Sequence, residues 1–276
     1  MFLQIHTPSA PLDYYIDAIW YSADDDFQTI HRTIPILHHE LIFNFSDHFS
    51  VHAGRGTPTL VSNAGCWISG LHTIPTITRT MGRHEMVGVL FKPYGLRQFT
   101  GAPAAGFRNL AVSGAEIMGN DLESLMTRIA RTAIINEKFS MLEDFLRSRC
   151  RAATLPDYIP HAVRSLAEEP ARIGVIGALA TDIGITTAAM IAAFNNHVGL
   201  PPLALLNLQR LNRVLADLAA DPRGPLTPLA HRHGYFDQAH FIRHFRRATG
   251  MTPSSYKRAA LAGGISPISP NSILLG

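Results

Sequence analysis

The feature that most restricts this chain is a plan that its last third carries twice: a short apolar helix, a glycine, then a second helix closed by another glycine. The first copy starts near Val175, turns at Gly184, resumes over about 187–197 and ends at Gly199. The second starts at Thr227, a residue suited to cap a helix, with Pro228 at the first helical position. It turns at Gly234 and resumes at Asp237, whose carboxylate can accept the orphan amides of the next helix. Gly250 stops that helix, and Thr252-Pro253 caps a last one. Helix, tight turn, helix is the plan of a helix-turn-helix. One such hairpin is a weak signal. Two, about fifty residues apart and the second carrying a cluster of basic residues, are a much stronger one.

Charge separates the halves. Residues 1–157 hold 13 Lys/Arg against 15 Asp/Glu, whereas residues 158–276 hold 11 against 6. Within 231–258, Arg232, Arg243, Arg246, Arg247, Lys257 and Arg258 face Asp237 alone. A basic block confined to one short segment suits a polyanionic partner as well as it suits a solvated face. The helical pattern of the second copy tells these apart. Phe241 and Phe245 lie four apart, on one face with Leu229 and Tyr235, and read as core. The opposite face then carries Gln238, Ala239, His240, Ile242 and Arg243. Gln pairs with adenine and Arg with guanine, so these are the candidate base-facing residues. Arg246, Arg247, Lys257 and Arg258 are the candidates for phosphates.

The stretch GYFDQAHFIRHFRRATGMTPSSYKR, residues 234–258, resembles the signature of AraC/XylS-type transcription regulators. The matching positions are Gly234-Tyr235, Asp237-Gln238, His240-Phe241, Arg243, Phe245, Gly250, Thr252-Pro253, Tyr256 and Arg258. The resemblance implies that 158–261 is a DNA-binding domain in which two helix-turn-helix units share a long helix, here about 203–219. Seventeen residues span about 25 Å, enough to hold two reading helices near successive major-groove faces about 34 Å apart. The first copy, LATDIGITTAAMIAAFNNHVGLPP, keeps the frame but not the charge: no Lys or Arg lies between Arg172 and Arg210. Thr186, Thr187, Ala188, Ile191, Ala192 and Asn195 are its candidate contacts, and they make it a scaffold or a weak reader. HHELIFNFSDHF (38–49) and GVLFKPYGLRQFTGAPA (88–104) resemble the sensing domain of one branch of the same regulators. That implies a cupin-like β-barrel followed by dimerising helices.

The residues of the first half agree with this outline. Short β-branched and aromatic runs at 14–21, 41–45, 59–61, 76–80 and 86–91, punctuated at Pro35, 54–58, Pro75 and Gly82, suggest a sandwich or barrel. After about 113 the period becomes helical. The face Phe139, Leu142, Phe145, Leu146 is either core or a dimer interface. The expected architecture is α+β: residues 1–150 sense and dimerise, 147–157 look like the connection, 158–261 bind DNA, and 262–276 form a loose tail. No apolar run approaches a membrane span and the N-terminus lacks a secretory pattern, so the cytoplasm is expected, with Cys66 and Cys150 reduced. Eight of the fourteen histidines lie in 1–84, but His38, His39, Glu40 and His84 have no metal-ligand spacing. No cofactor, metal or catalysis is therefore expected. Arg79, Arg83 and His84 could meet an acidic effector or sit in a solvated turn. The expected partners are double-stranded DNA, an unidentified small-molecule effector, RNA polymerase and a second copy of the chain. A weakly binding adaptor that works through protein contacts, and a cupin-like metalloenzyme with a helical appendage, are the competing readings.

Overall fold

A computed structural model describes residues 2–53, 59–62, 65–151, 155–168, 174–266 and 269–275. The expected turn at 54–58 and residues 152–154 of the connection lie outside them. The strands are β1 (Phe2–His6), β2 (Ile16–Asp24), β3 (Thr29–Thr33), β4 (His39–Asn44), β5 (His48–Ala53), β6 (Thr59–Ser62), β7 (Gly65–Ser69), β8 (Thr76–Met81), β9 (His84–Phe91), β10 (Ala111–Ser113), β11 (Ile265–Ser266) and β12 (Ser269–Leu274). They form two antiparallel sheets, ordered β1-β2-β9-β4-β7-β10 and β11-β12-β3-β8-β5-β6. This is the α+β, cupin-like arrangement that the sequence implies.

Alternation along the strands divides the first sheet between two neighbours. Ile42, Trp67 and Met86 turn toward the second sheet and pack with Phe49. Leu41, Phe43, Val87 and Val89 turn the other way, onto α3 (Asp121–Arg131) and α4 (Ile135–Arg149). Two short helices precede these, α1 (Arg97–Thr100) and α2 (Gly114–Met118). Phe139, Leu142 and Leu146 are at most 2% exposed. That face is filled by the chain's own core, so the dimer-interface reading of it is corrected.

The second half is helical: α5 (Tyr158–Glu168), α6 (Val175–Ile183), α7 (Thr187–His197), α8 (Pro202–Ala220), α9 (Leu226–Arg232), α10 (Gln238–Thr249) and α11 (Pro253–Leu261). Among the described residues no single helix is long and apolar enough to cross a membrane.

The expectation of a loose tail fails. Strand β12 pairs antiparallel with β3, placing Ser272, Ile273 and Leu274 opposite Thr33, Arg32 and His31. A strand contributed by the helical half thus completes a sheet of the first half. Ile265 and Ile273 are buried in one core with Leu215, Phe245 and Tyr256, and Ile34, Leu71 and Tyr94 enter that core from the first half. Hydrogen bonds follow the same seam. Asn271 Nδ2 donates to Pro35 O at 3.0 Å, and Asn212 Nδ2 donates to the same carbonyl at 3.1 Å. The Tyr256 hydroxyl donates to Pro270 O at 2.8 Å.

Candidate nucleic-acid interface

The second unit is built as its sequence directs. Gly234 takes φ 73°, a left-handed turn that lets the Gly234 and Tyr235 amides donate back to His231 O and Ala230 O, both at 3.0 Å. Asp237 caps α10: its Oδ1 accepts the His240 amide at 2.6 Å. Gly250 closes the helix at φ 72°, and Thr252 Oγ1 caps α11 by accepting the Ser255 amide at 3.1 Å. One expected cap is corrected. Helix α9 starts a residue earlier than Thr227, with Pro225 preceding it and no side-chain cap. Thr227 Oγ1 instead donates to Gln238 Oε1 at 2.8 Å, joining the two helices of the unit.

Phe241 and Phe245 are fully buried, which turns Gln238, Ala239, His240 and Arg243 outward, all exposed. Ile242 is corrected: it is half-buried and packs against the helical core. Arg246 and Arg247 are exposed, and among the described residues Arg243, Arg246 and Arg247 have no hydrogen-bond or ion-pair partner. Arg258 is exposed and donates to Ser255 Oγ at 3.1 Å. Lys257 is less free than its sequence suggests, because its ammonium donates to Gly224 O at 2.7 Å. Arg232 lies 3.3 Å from Asp217, which also holds His233 at 2.9 Å. Burial lowers His244 to a pKa of about 4, so this ring, with its Nδ1 2.9 Å from the Tyr235 hydroxyl, stays neutral at pH 7.

The first unit keeps the geometry without the charge. Helices α6 and α7 meet at 93° about Gly184. Thr186 caps α7, its Oγ1 accepting the Ala189 amide at 3.1 Å. Thr187, Ala188, Ile191 and Ala192 are exposed, and Asn195 is half-buried. The end of α7 is fixed to the first half. His39 Nε2 lies 3.1 Å from Val198 O, and since a carbonyl only accepts, that nitrogen carries the proton. Burial holds His39 at a pKa of about 4, against the pull of that carbonyl. Arg97 Nε donates to Asn196 Oδ1 at 3.1 Å. A side chain at Gly199 (φ 84°) would put its Cβ 2.8 Å from Ala104 O, so only glycine permits this approach. Helix α8 separates the units by about 28 Å of rise.

A cavity of about 120 Å³ lies between the two sheets, lined among others by His38, Glu40, Phe49, Trp67, Ser69 and His72. Phe49 and Trp67 stack there, their ring centroids 5.3 Å apart. Burial raises Glu40 to a pKa of about 7 and lowers His72 to about 4. Glu40 itself is half-buried. Arg79, Arg83 and His84 do not converge. Arg83 is engaged with Glu85 at 2.8 Å and Phe45 O at 2.9 Å, and the buried His84 ring is bonded to Ser22 at 2.8 Å. Among the described residues no three His, Cys, Asp or Glu side chains form a group that could hold a metal ion.

A family model described as a helix-turn-helix domain matches residues 179–259, and one described as a domain of unknown function (DUF6597) matches residues 4–113. Among curated proteins none matches the chain. Solved structures similar to it include ToxT from Vibrio cholerae O395, at 9% identity and TM-score 0.47 over 88% of this chain and 98% of that one. The C-terminal domain of AraT, a response regulator from Geobacillus stearothermophilus, is 20% identical at TM-score 0.35 over 38% and 88%. A probable AraC family transcriptional regulator from Rhodopseudomonas palustris is 28% identical at TM-score 0.31 over 36% and 97%. Two helix-turn-helix units on one shared helix, the second with a basic outward face, define a DNA-binding transcription regulator. The domain match surrounds the motif of residues 234–258, so this part of the chain is similar to the DNA-binding domain of AraC/XylS-type regulators.

Proposed function

We propose that this protein binds DNA at specific sequences, with α10 as its main reading helix, and that a small molecule held between its sheets tunes that binding. The observation that carries the reading is the exposed row Gln238, Ala239, His240 and Arg243, beside two further unpaired guanidinium groups. Gln238 and Arg243 supply donors for adenine and guanine edges. Arg246, Arg247 and Arg258 neutralise phosphates, with Lys257 a lesser contributor. Helix α7 offers Thr187, Ala188, Ile191 and Ala192 for methyl and phosphate contacts, with Thr186 and Asn195 at its margins. On this reading residues 1–150 sense, 158–261 bind DNA, and 262–276 fasten the two together. RNA polymerase and a second copy of the chain are the protein partners.

The coupling route is short. His38 and Glu40 line the cavity while His39, between them, points the other way to Val198 at the end of α7. A ligand that shifts β4 therefore acts on the first unit through one hydrogen bond. A gel shift at rising salt compares the duplex upstream of the protein's own gene with a scrambled duplex of equal length. The reading expects a preference of about a thousandfold or more at physiological salt. Equal affinity for the two would overturn it and favour an adaptor.

A further inference from the structure

Phe236 is the most exposed large apolar side chain among the described residues, with 86% of its surface open to solvent. Single exposed apolar residues are ordinary on protein surfaces; the position of this one is not. It stands at the tip of the turn in the second unit, one residue ahead of the Asp237 cap and two ahead of Gln238. A hydrophobic residue just before a helix cap commonly folds back onto the fourth helical residue, here Phe241. That seat is taken. Phe241 is fully buried, with its ring centroid 5.1 Å from that of Tyr235, and Tyr235 is itself 4% exposed. The intramolecular role for Phe236 is therefore filled by its neighbour, and its ring is left on the leading edge of α10.

The surroundings select the partner. The unit carries Arg232, Arg243, Arg246 and Arg247, while its nearby carboxylates are engaged: Asp237 as the cap, and Asp217 with Arg232 and His233. A basic face suits a polyanion, and an apolar ring set within it suits the one strongly apolar group that the major groove presents, the thymine methyl. We infer that Phe236 is a base-reading residue that packs on the 5-methyl of a thymine next to the base pair met by Gln238. This rests on the reading of α10 as the DNA helix and deepens it. Gln238 has its Oε1 engaged by Thr227, which leaves its NH₂ group to donate beside that contact.

The test separates the methyl from the rest of the base. Full-length protein selects a duplex from a randomised pool, and each thymine of the recovered duplex is replaced singly by deoxyuridine, which lacks only the methyl. The wild type should lose about fourfold in affinity at one position, the worth of burying one methyl group. Phe236→Ser should bind the thymine and uracil duplexes alike at that position, and Phe236→Leu should restore the difference. Unchanged thermal unfolding of Phe236→Ser would keep the comparison free of folding defects. A Phe236→Ser protein that discriminates every thymine as the wild type does would overturn the inference. So would one that binds DNA normally but fails to activate with RNA polymerase, since Phe236 would then be a protein contact. Arg243→Ala on the same duplex separates the two levels. If it weakens binding and Phe236→Ser does not, only Phe236 was misread; if neither weakens it, the reading of α10 falls.

Discussion

Ile273→Ala tests whether the tail is a structural joint. Ile273 is 2% exposed and packs into the helical core, yet its backbone lies opposite Arg32 in a sheet of the first half. Truncation removes three carbons from a site that the strand pairing prevents from collapsing, and such changes cost about 2–5 kcal/mol. Taking roughly 3 kcal/mol, the thermal midpoint of a chain this long should fall by about 5 °C. The adjacent Leu274 is 46% exposed, so Leu274→Ala should stay within about 1 kcal/mol of wild type. The assay is thermal unfolding followed both by near-ultraviolet circular dichroism and by Trp20 and Trp67 fluorescence, which report from the first half. Both signals should move together for Ile273→Ala, because the buried core is shared across the seam. A shift under about 2 °C, or a separate early transition with the tryptophan signal unmoved, would refute the joint.

Asp237→Ala removes the cap of α10 and should cost about 1 kcal/mol of stability, read by urea unfolding, with a larger loss of DNA affinity because the reading helix frays at its working end. Gly199→Ala forces a Cβ onto Ala104 O and needs a backbone that alanine disfavours; the urea midpoint should drop clearly, with α7 displaced from the first half. Acid should destabilise the protein through its buried histidines. His39, His72 and His244 are held near 4 against an ordinary 6.5, so their contribution is present above about 6.5 and is lost as pH falls toward 4. His39 alone accounts for roughly 3 kcal/mol over that range, and His39→Gln should flatten that part of the urea-midpoint profile. Glu40 runs the other way: raised to about 7 from 4.5, its contribution is full below 4.5 and is lost as pH rises through 7.

The helical half was legible because its signals are local. Gly184, Gly199, Gly234 and Gly250 all sit at positive φ where the turns were read, and Asp237, Thr252 and Thr186 cap the helices that follow them. The spacing of Phe241 and Phe245 oriented α10 correctly except at Ile242, which sits at the edge of the apolar stripe. The sheets were half legible. Runs such as 76–80 and 86–91 are rich in β-branched or apolar residues, but β3 (TIHRT) and β5 (HFSVHA) carry more polar and histidine residues, and both pair with β8. Strand β12 could not be read at all. SPNSIL has one residue that stays buried, and its structure exists through contact with β3, more than two hundred residues away in sequence. Phe236 was missed for a related reason: its type predicts burial, and only the seating of Phe241 on Tyr235 leaves it outside.

The central claim is that α10 reads bases and α7 reads few. Replacing each base pair of the selected duplex in turn, and measuring affinity for wild type, Arg243→Ala and Arg247→Ala, tests it directly. The account predicts strong base dependence under the second unit, little under the first, and a loss of about 1–3 kcal/mol for Arg243→Ala that relaxes preference at one base pair. Arg247→Ala should weaken all duplexes alike and flatten the salt dependence. Ala192→Arg should raise affinity for scrambled DNA first, because an added charge on α7 acts on every phosphate. Equal base sensitivity under both units, or an Arg243→Ala protein with its base preference intact, would contradict the account.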